Sequence, residues 1–200
     1  MRTKRVILLL ACAALLTTWT LPRAEEEREK VEIRPALLVI DVQNEWMPVM
    51  AEEDRASAPD SINEAIALFR AYGHPVIRVY HSHPERGPEP GTEPFEFADS
   101  IAVTDADPKV VKAHPSSFTK TDLEEMLREG DRNVVFLCGL SATGCVLATY
   151  FGSVERDFFT MMVGGALLSH NAEYTEMIED ICYSLSLEEL RGVMEDPYFE

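Results

Sequence analysis

Positive charge is scarce in this sequence. Lys and Arg total 18 against 35 Asp and Glu, for a net charge of −17. A chain this acidic repels phosphate backbones and anionic lipid, which argues against nucleic acid and against a membrane surface as partners. Cysteine is also sparse: there are four, and no Cys-x-x-Cys pair, which argues against thioredoxin-like redox chemistry. Only five histidines occur, none paired with an acid at metal-ligand spacing, so no metal and no cofactor is expected. The longest apolar run is too short for a comfortable bilayer span, and no internal repeat is visible. What remains is enough apolar residues to build one sizeable core.

The N-terminus reads as a targeting signal. Met1 to Arg5 is basic, Val6 to Leu16 is apolar, and Leu21-Pro22-Arg23-Ala24 offers a small residue before an acidic stretch. This pattern predicts a secretory leader over 1–24, a mobile arm over 25–34 and one domain over 35–200. A secreted or periplasmic protein is expected. A retained membrane anchor and a lipidated Cys12 are the alternatives. Cleavage removes Arg2, Lys4, Arg5 and Arg23 but no acid, so the mature chain is more acidic still. It also leaves Cys138, Cys145 and Cys182, an odd number in an exported chain, so at least one thiol stays unpaired.

Strand and helix signals alternate along the chain. Ala36 to Asp41 is an apolar run ending in an acid, as in a strand buried on both faces. Asp60-Ser61-Ile62-Asn63-Glu64 predicts a helix start by capping box, and Gly73 its end. Strands follow at 75–80, 110–112, 133–138 and 158–163. Helices are expected from Thr121 to Gly130, from Cys145 to Arg156, after Asn171, and over 187–194. The segment 84–107 reads as a long loop that is mobile or covers a site. The alternation predicts an α/β fold, three layers α/β/α around a mostly parallel sheet.

In open α/β sheets, sites form beyond the carboxyl ends of the strands. Asp41, Lys112 and Cys145 all fall at such ends. Cys145 follows a small-residue turn and opens a helix, whose partial positive charge favours a thiolate.

Three motifs, ALLVIDVQNEW, VVKAHPSSFTKTDL and VVFLCGLSATGCVLAT, resemble the isochorismatase-like cysteine hydrolases, a family that includes nicotinamidases and carbamoylsarcosine amidases. The likeness covers about residues 35–185. It implies that Asp41, Lys112 and Cys145 are catalytic, with Asp41 as general base, Lys112 offsetting negative charge, and Cys145 forming a thioester with a small carboxamide or related C–N substrate. It implies an oxyanion hole from the N–H groups of Ser141 and Cys145, with a cis peptide at Leu140–Ser141. Substrate contacts are expected from Gln43, Trp46, His81 and Phe118.

Relatives that hold a metal use an Asp-x-His pattern, which is missing here. Relatives often carry Asp-Ala where this chain has Val163-Gly164-Gly165-Ala166; the two glycines are expected to leave room near the cleft. Enol-ether hydrolysis and non-catalytic binding of a small molecule are the rival functions, and association of copies through helices is a further expectation.

Overall fold

The computed structural model describes residues 31–199. The leader expected at 1–24, and the arm up to residue 30, lie outside the described residues. Residues 31–34 were expected to be part of that arm, but they are tied down. Strand β1 (Val31–Glu32) pairs antiparallel with β8 (Tyr198–Phe199). The Asn133 side chain accepts from Arg34 N–H and donates to the Glu32 carbonyl. Ile33 is buried.

The apolar runs become strands of one parallel sheet. These are β2 (Pro35–Ile40), β3 (Val76–His81), β4 (Lys109–Lys112), β5 (Val134–Leu140), β6 (Phe159–Leu168) and β7 (Ser184–Leu185). Their order is β4-β3-β2-β5-β6-β7, and every adjacent pair is parallel. Among the described residues, five α-helices cover the sheet: α1 (Glu52–Ala71), α2 (Leu123–Glu129), α3 (Leu147–Val154), α4 (Ala172–Ile181) and α5 (Leu187–Glu195). Alternation along β2 explains why it is apolar throughout. Leu37 and Val39 join one core with residues of α1 and α5, while Ala36, Leu38 and Ile40 join the other with residues of α2, α3 and α4. A strand buried on both faces has no solvent side to mark with polar residues.

Several boundaries differ from the sequence reading. Helix α1 starts at Glu52, well before Asp60, and runs through Pro59. Its first turn carries Glu52, Glu53 and Asp54, which suit a helix N-terminus. Asp54 is buried and accepts from Ser169 N–H at 2.9 Å and from the Thr175 hydroxyl at 2.7 Å. That anchorage holds the helix start despite a proline that removes one helical bond. The segment 84–107 is also anchored. Phe95, Phe97 and Ile101 are buried, with Phe95 and Phe97 against Tyr80 at ring distances of 4.8 and 4.7 Å.

Gly139 has a fold-level reason to be glycine. Its φ is +106°, and a Cβ there would lie 2.3 Å from the Ile40 carbonyl oxygen. The last turns of β2 and β5 approach this closely just before Asp41 and Ser141, so the contact sets the spacing of the loops that follow.

Candidate active site

The carboxyl ends of β2, β3, β4 and β5 bring polar side chains together. Asp41 follows β2 directly, in the left-handed region at φ 54°. Aspartate tolerates that region better than bulky residues do. Lys112 closes β4, and His81 closes β3 in register beside it. The Lys112 ammonium crosses the end of β3 and donates to Asp41 Oδ2 at 2.6 Å. It also lies 3.2 Å from His81 Nδ1. Lys112 is 1 % exposed and Asp41 2 %. A buried ion pair offsets its desolvation only with close geometry, which this pair has. The second oxygen, Asp41 Oδ1, is buried and has no hydrogen-bond partner of good geometry.

Cys145 sits in a single π-helical turn, Ala142–Val146, that leads into α3. Such turns break the regular helical ladder and recur at functional sites. Ligand atoms of Asp41, His81 and Cys145 all lie within 4.8 Å of one another. The peptide Leu140–Ser141 is cis, as the resemblance implied.

The charge state of the thiol differs from the expectation of a resting thiolate. Burial, reinforced by the Asp41 carboxylate, pushes Cys145 up to about 12, against the pull of Lys112. Burial also raises Asp41, with Lys112 opposing. The sequence reading set the helix end and the Lys112 charge against the carboxylate but left out the loss of water, which is the largest cause. One fixed cation, Lys112, supports one negative charge in this dry space. That charge rests on Asp41, and the proton rests on sulfur. Moving this proton to Asp41 creates the thiolate without changing the net charge of the site.

A cavity of about 230 Å³ opens over these groups, lined by Asp41, Trp46, Met50, His81, Leu140, Ser141, Gly144 and Cys145. Trp46 packs edge-on to His81 at 6.1 Å. Lys112 lies behind Asp41 rather than on the wall. Two expected substrate contacts are corrected. Gln43 is fully buried, and its amide is consumed by backbone: it accepts from His81 N–H at 2.8 Å and donates to the carbonyls of His81 and Phe95. It positions the end of β3. Phe118 is buried in the core, stacked on Phe158 at 6.0 Å with the Arg156 guanidinium over its ring.

Gly164 and Gly165 lie within β6, Gly164 beside β7 and Gly165 facing Ser61 and Glu179, and neither lines the cavity. Met50, Leu140 and Gly144 were not anticipated. Leu140 and Gly144 flank residues already identified, whereas Met50 carried no sequence signal.

Asp41, His81 and Cys145 are the cluster among the described residues whose atoms converge as metal ligands do. The Lys112 ammonium already contacts two of the three, so a metal cation would meet a resident positive charge.

Fold and site together define a three-layer α/β/α protein with a cysteine beside a buried acid and lysine. The chain belongs to the isochorismatase family: the model of the Isochorismatase domain matches residues 35–180. An uncharacterised isochorismatase family protein of Bacillus subtilis is 32% identical over 150 residues, covering 72% of this chain and 81% of that one. N-carbamoylsarcosine amidase from Thermoplasma acidophilum superposes with a TM-score of 0.67 at 25% identity, covering 77% of this chain and 95% of that one. A cysteine hydrolase from Pseudomonas syringae shares the fold, with a TM-score of 0.70 at 19% identity over 82% of this chain and 94% of that one. Among the described residues, no helix is long and apolar enough to cross a membrane.

Proposed function

We propose that the protein hydrolyses a small carboxamide or related C–N bond through a thioester on Cys145. The observation that carries this reading is the 2.6 Å Lys112–Asp41 pair beside the Cys145 thiol at a cavity of small-molecule size. Asp41 takes the Cys145 proton, and Lys112 keeps the buried charge balanced. The sulfur attacks the carbonyl carbon: a C–S bond forms, and the carbonyl electron pair moves to oxygen. The N–H groups of Ser141 and Cys145 stabilise that oxyanion. Protonated Asp41 then gives its proton to the departing nitrogen as the C–N bond breaks. Water, deprotonated by Asp41, attacks the thioester, and the C–S bond breaks to release the acid and restore the thiol. No step passes through a metal.

The experiment is ammonia release from a panel of small primary amides, with trapping of the acylated protein by mass spectrometry. An acyl adduct on Cys145 is expected, and its absence during turnover contradicts the reading.

The basic-then-apolar leader supports export of the mature chain. A mature N-terminus at Glu25 in protein recovered outside the cytoplasm is the expected result, and an intact Met1 there contradicts it.

A further inference from the structure

His81 touches the reacting groups, yet the thioester route gives it no step. Its backbone is fixed by Gln43, which accepts from the His81 N–H at 2.8 Å. Its ring is held on two sides. Trp46 lies edge-on at an interplanar angle of 78°, and Lys112 Nζ lies 3.2 Å from Nδ1. An ammonium only donates hydrogen bonds. The lone pair facing it therefore belongs to an unprotonated Nδ1, and the ring proton sits on Nε2. Among the described residues, His81 Nε2 has no hydrogen-bond partner, while the ring forms part of the cavity wall.

We infer that His81 is a specificity-determining donor: with Nδ1 committed to Lys112, its Nε2–H selects substrates that carry a hydrogen-bond acceptor, a carboxylate above all, beside the scissile amide. This rests on the amide-hydrolysis reading and deepens it. Burial and the neighbouring charges keep the ring in its neutral form. Burial, helped by Lys112, His83, Arg86 and His114, lowers its pKa to about 4, so it stays neutral at working pH. Arg86 Nη2 sits 3.3 Å from His83 Nε2. Lys112 is already paired with Asp41, whose carboxylate lies near the ring, so the preference rests on the Nε2–H donor and not on net charge: a carboxylate is the strongest acceptor for it, and an ammonium offers none.

The test uses full-length protein carrying Cys145→Ala, so that binding is read apart from turnover. Calorimetry compares succinamate, butyramide and β-alaninamide, three primary amides of similar length bearing an anionic, a neutral and a cationic end. The expected order is succinamate about tenfold or more tighter than butyramide, with β-alaninamide weakest. Adding His81→Phe, which keeps an aromatic edge for Trp46, should collapse the gap between succinamate and butyramide. His81→Gln, which retains an N–H donor, should restore part of it. Nitrogen-15 NMR of the imidazole should show the Nε2–H tautomer.

Equal binding of the charged and neutral amides, failure of succinamate to bind, or an Nδ1–H tautomer would overturn the inference. None of these outcomes decides the hydrolase reading. That stands or falls separately, on whether amide turnover passes through an acyl adduct on Cys145.

Discussion

Cys138 and Cys145 lie on one short segment, and burial raises the pKa of both thiols. Cys138 sits within β5, fully buried, with its S–H directed at the Leu38 carbonyl. Cys145 sits past the end of the same strand, at an open cavity beside Asp41. By resting pKa alone, neither is a nucleophile. The difference lies in the surroundings. Cys138 has only a backbone carbonyl beside it, which does not take its proton. Cys145 has a carboxylate that can receive its proton and a lysine that keeps the exchange electrically neutral. On the proposed mechanism, chemistry at this sheet edge depends on a proton acceptor with a compensating charge, not on a permanently ionised sulfur.

The sharpest way to break this contrast is to delete each thiol. Cys145→Ala should reduce amide turnover by about 10⁴-fold or more, the scale of losing one member of a catalytic set. Cys138→Ala should leave the catalytic rate nearly unchanged and cost about 1 kcal/mol of stability through lost packing. Steady-state kinetics and chemical denaturation separate the two outcomes, and equal losses of activity would erase the distinction.

The next largest effect concerns the ion pair. Asp41→Asn strands a buried ammonium and should cost about 3–5 kcal/mol in addition to abolishing activity. Coupling Asp41→Leu with Lys112→Met should recover much of that stability and none of the turnover. A double variant no more stable than Asp41→Asn would show that the pair is more than offset charge.

Gly139→Ala tests the scaffold beneath both regions. Its Cβ meets the Ile40 backbone at 2.3 Å, so β2 and β5 must separate. Loss of activity with reduced thermal stability is expected. Unchanged kinetics would show that the spacing of the Asp41 and Ser141 loops is not critical.

The smallest effect is in acid. The folded pKa of His81 lies near 4, below the ordinary value of 6.5. The unfolded chain therefore takes up this proton first, and stability falls where the unfolded state binds more protons. The contribution of neutral His81 is complete above about pH 6.5 and is lost as pH falls toward 4. His81→Phe should flatten that part of the stability curve. A curve identical to wild type would contradict the assignment.

These contrasts also show how far the sequence could be read. Asp41, Lys112 and Cys145 were legible because each ends or follows a strand, and strand ends converge in this architecture. His81 was legible by the same logic, since it closes β3, whereas Trp46, in the loop beyond β2, was expected at the pocket as an aromatic and not by a strand-end position. Gln43 and Phe118 were placed on the substrate side, although both point into protein. Side-chain direction in irregular segments follows from packing that no periodicity encodes. The start of α1 was hidden for a related reason: Asp54 is secured by Ser169 and Thr175, 115 and 121 residues away. The resting charge of Cys145 was misjudged because helix position is local, whereas burial, the largest cause of its raised pKa, is tertiary.

The central claim is that Asp41 and Cys145 share one proton over the fixed charge of Lys112. It is tested most directly by the pH dependence of Cys145 alkylation with iodoacetamide, followed by mass spectrometry of the modified peptide. A shared proton makes the reactive tautomer a constant fraction of the site, so the rate should be flat through the neutral range and show no inflection near pH 9, the ordinary thiol value. Asp41→Asn should remove that plateau. A wild-type rate that instead climbs tenfold per pH unit and levels off near 9 would mean that Cys145 titrates as an independent thiol, contradicting the account.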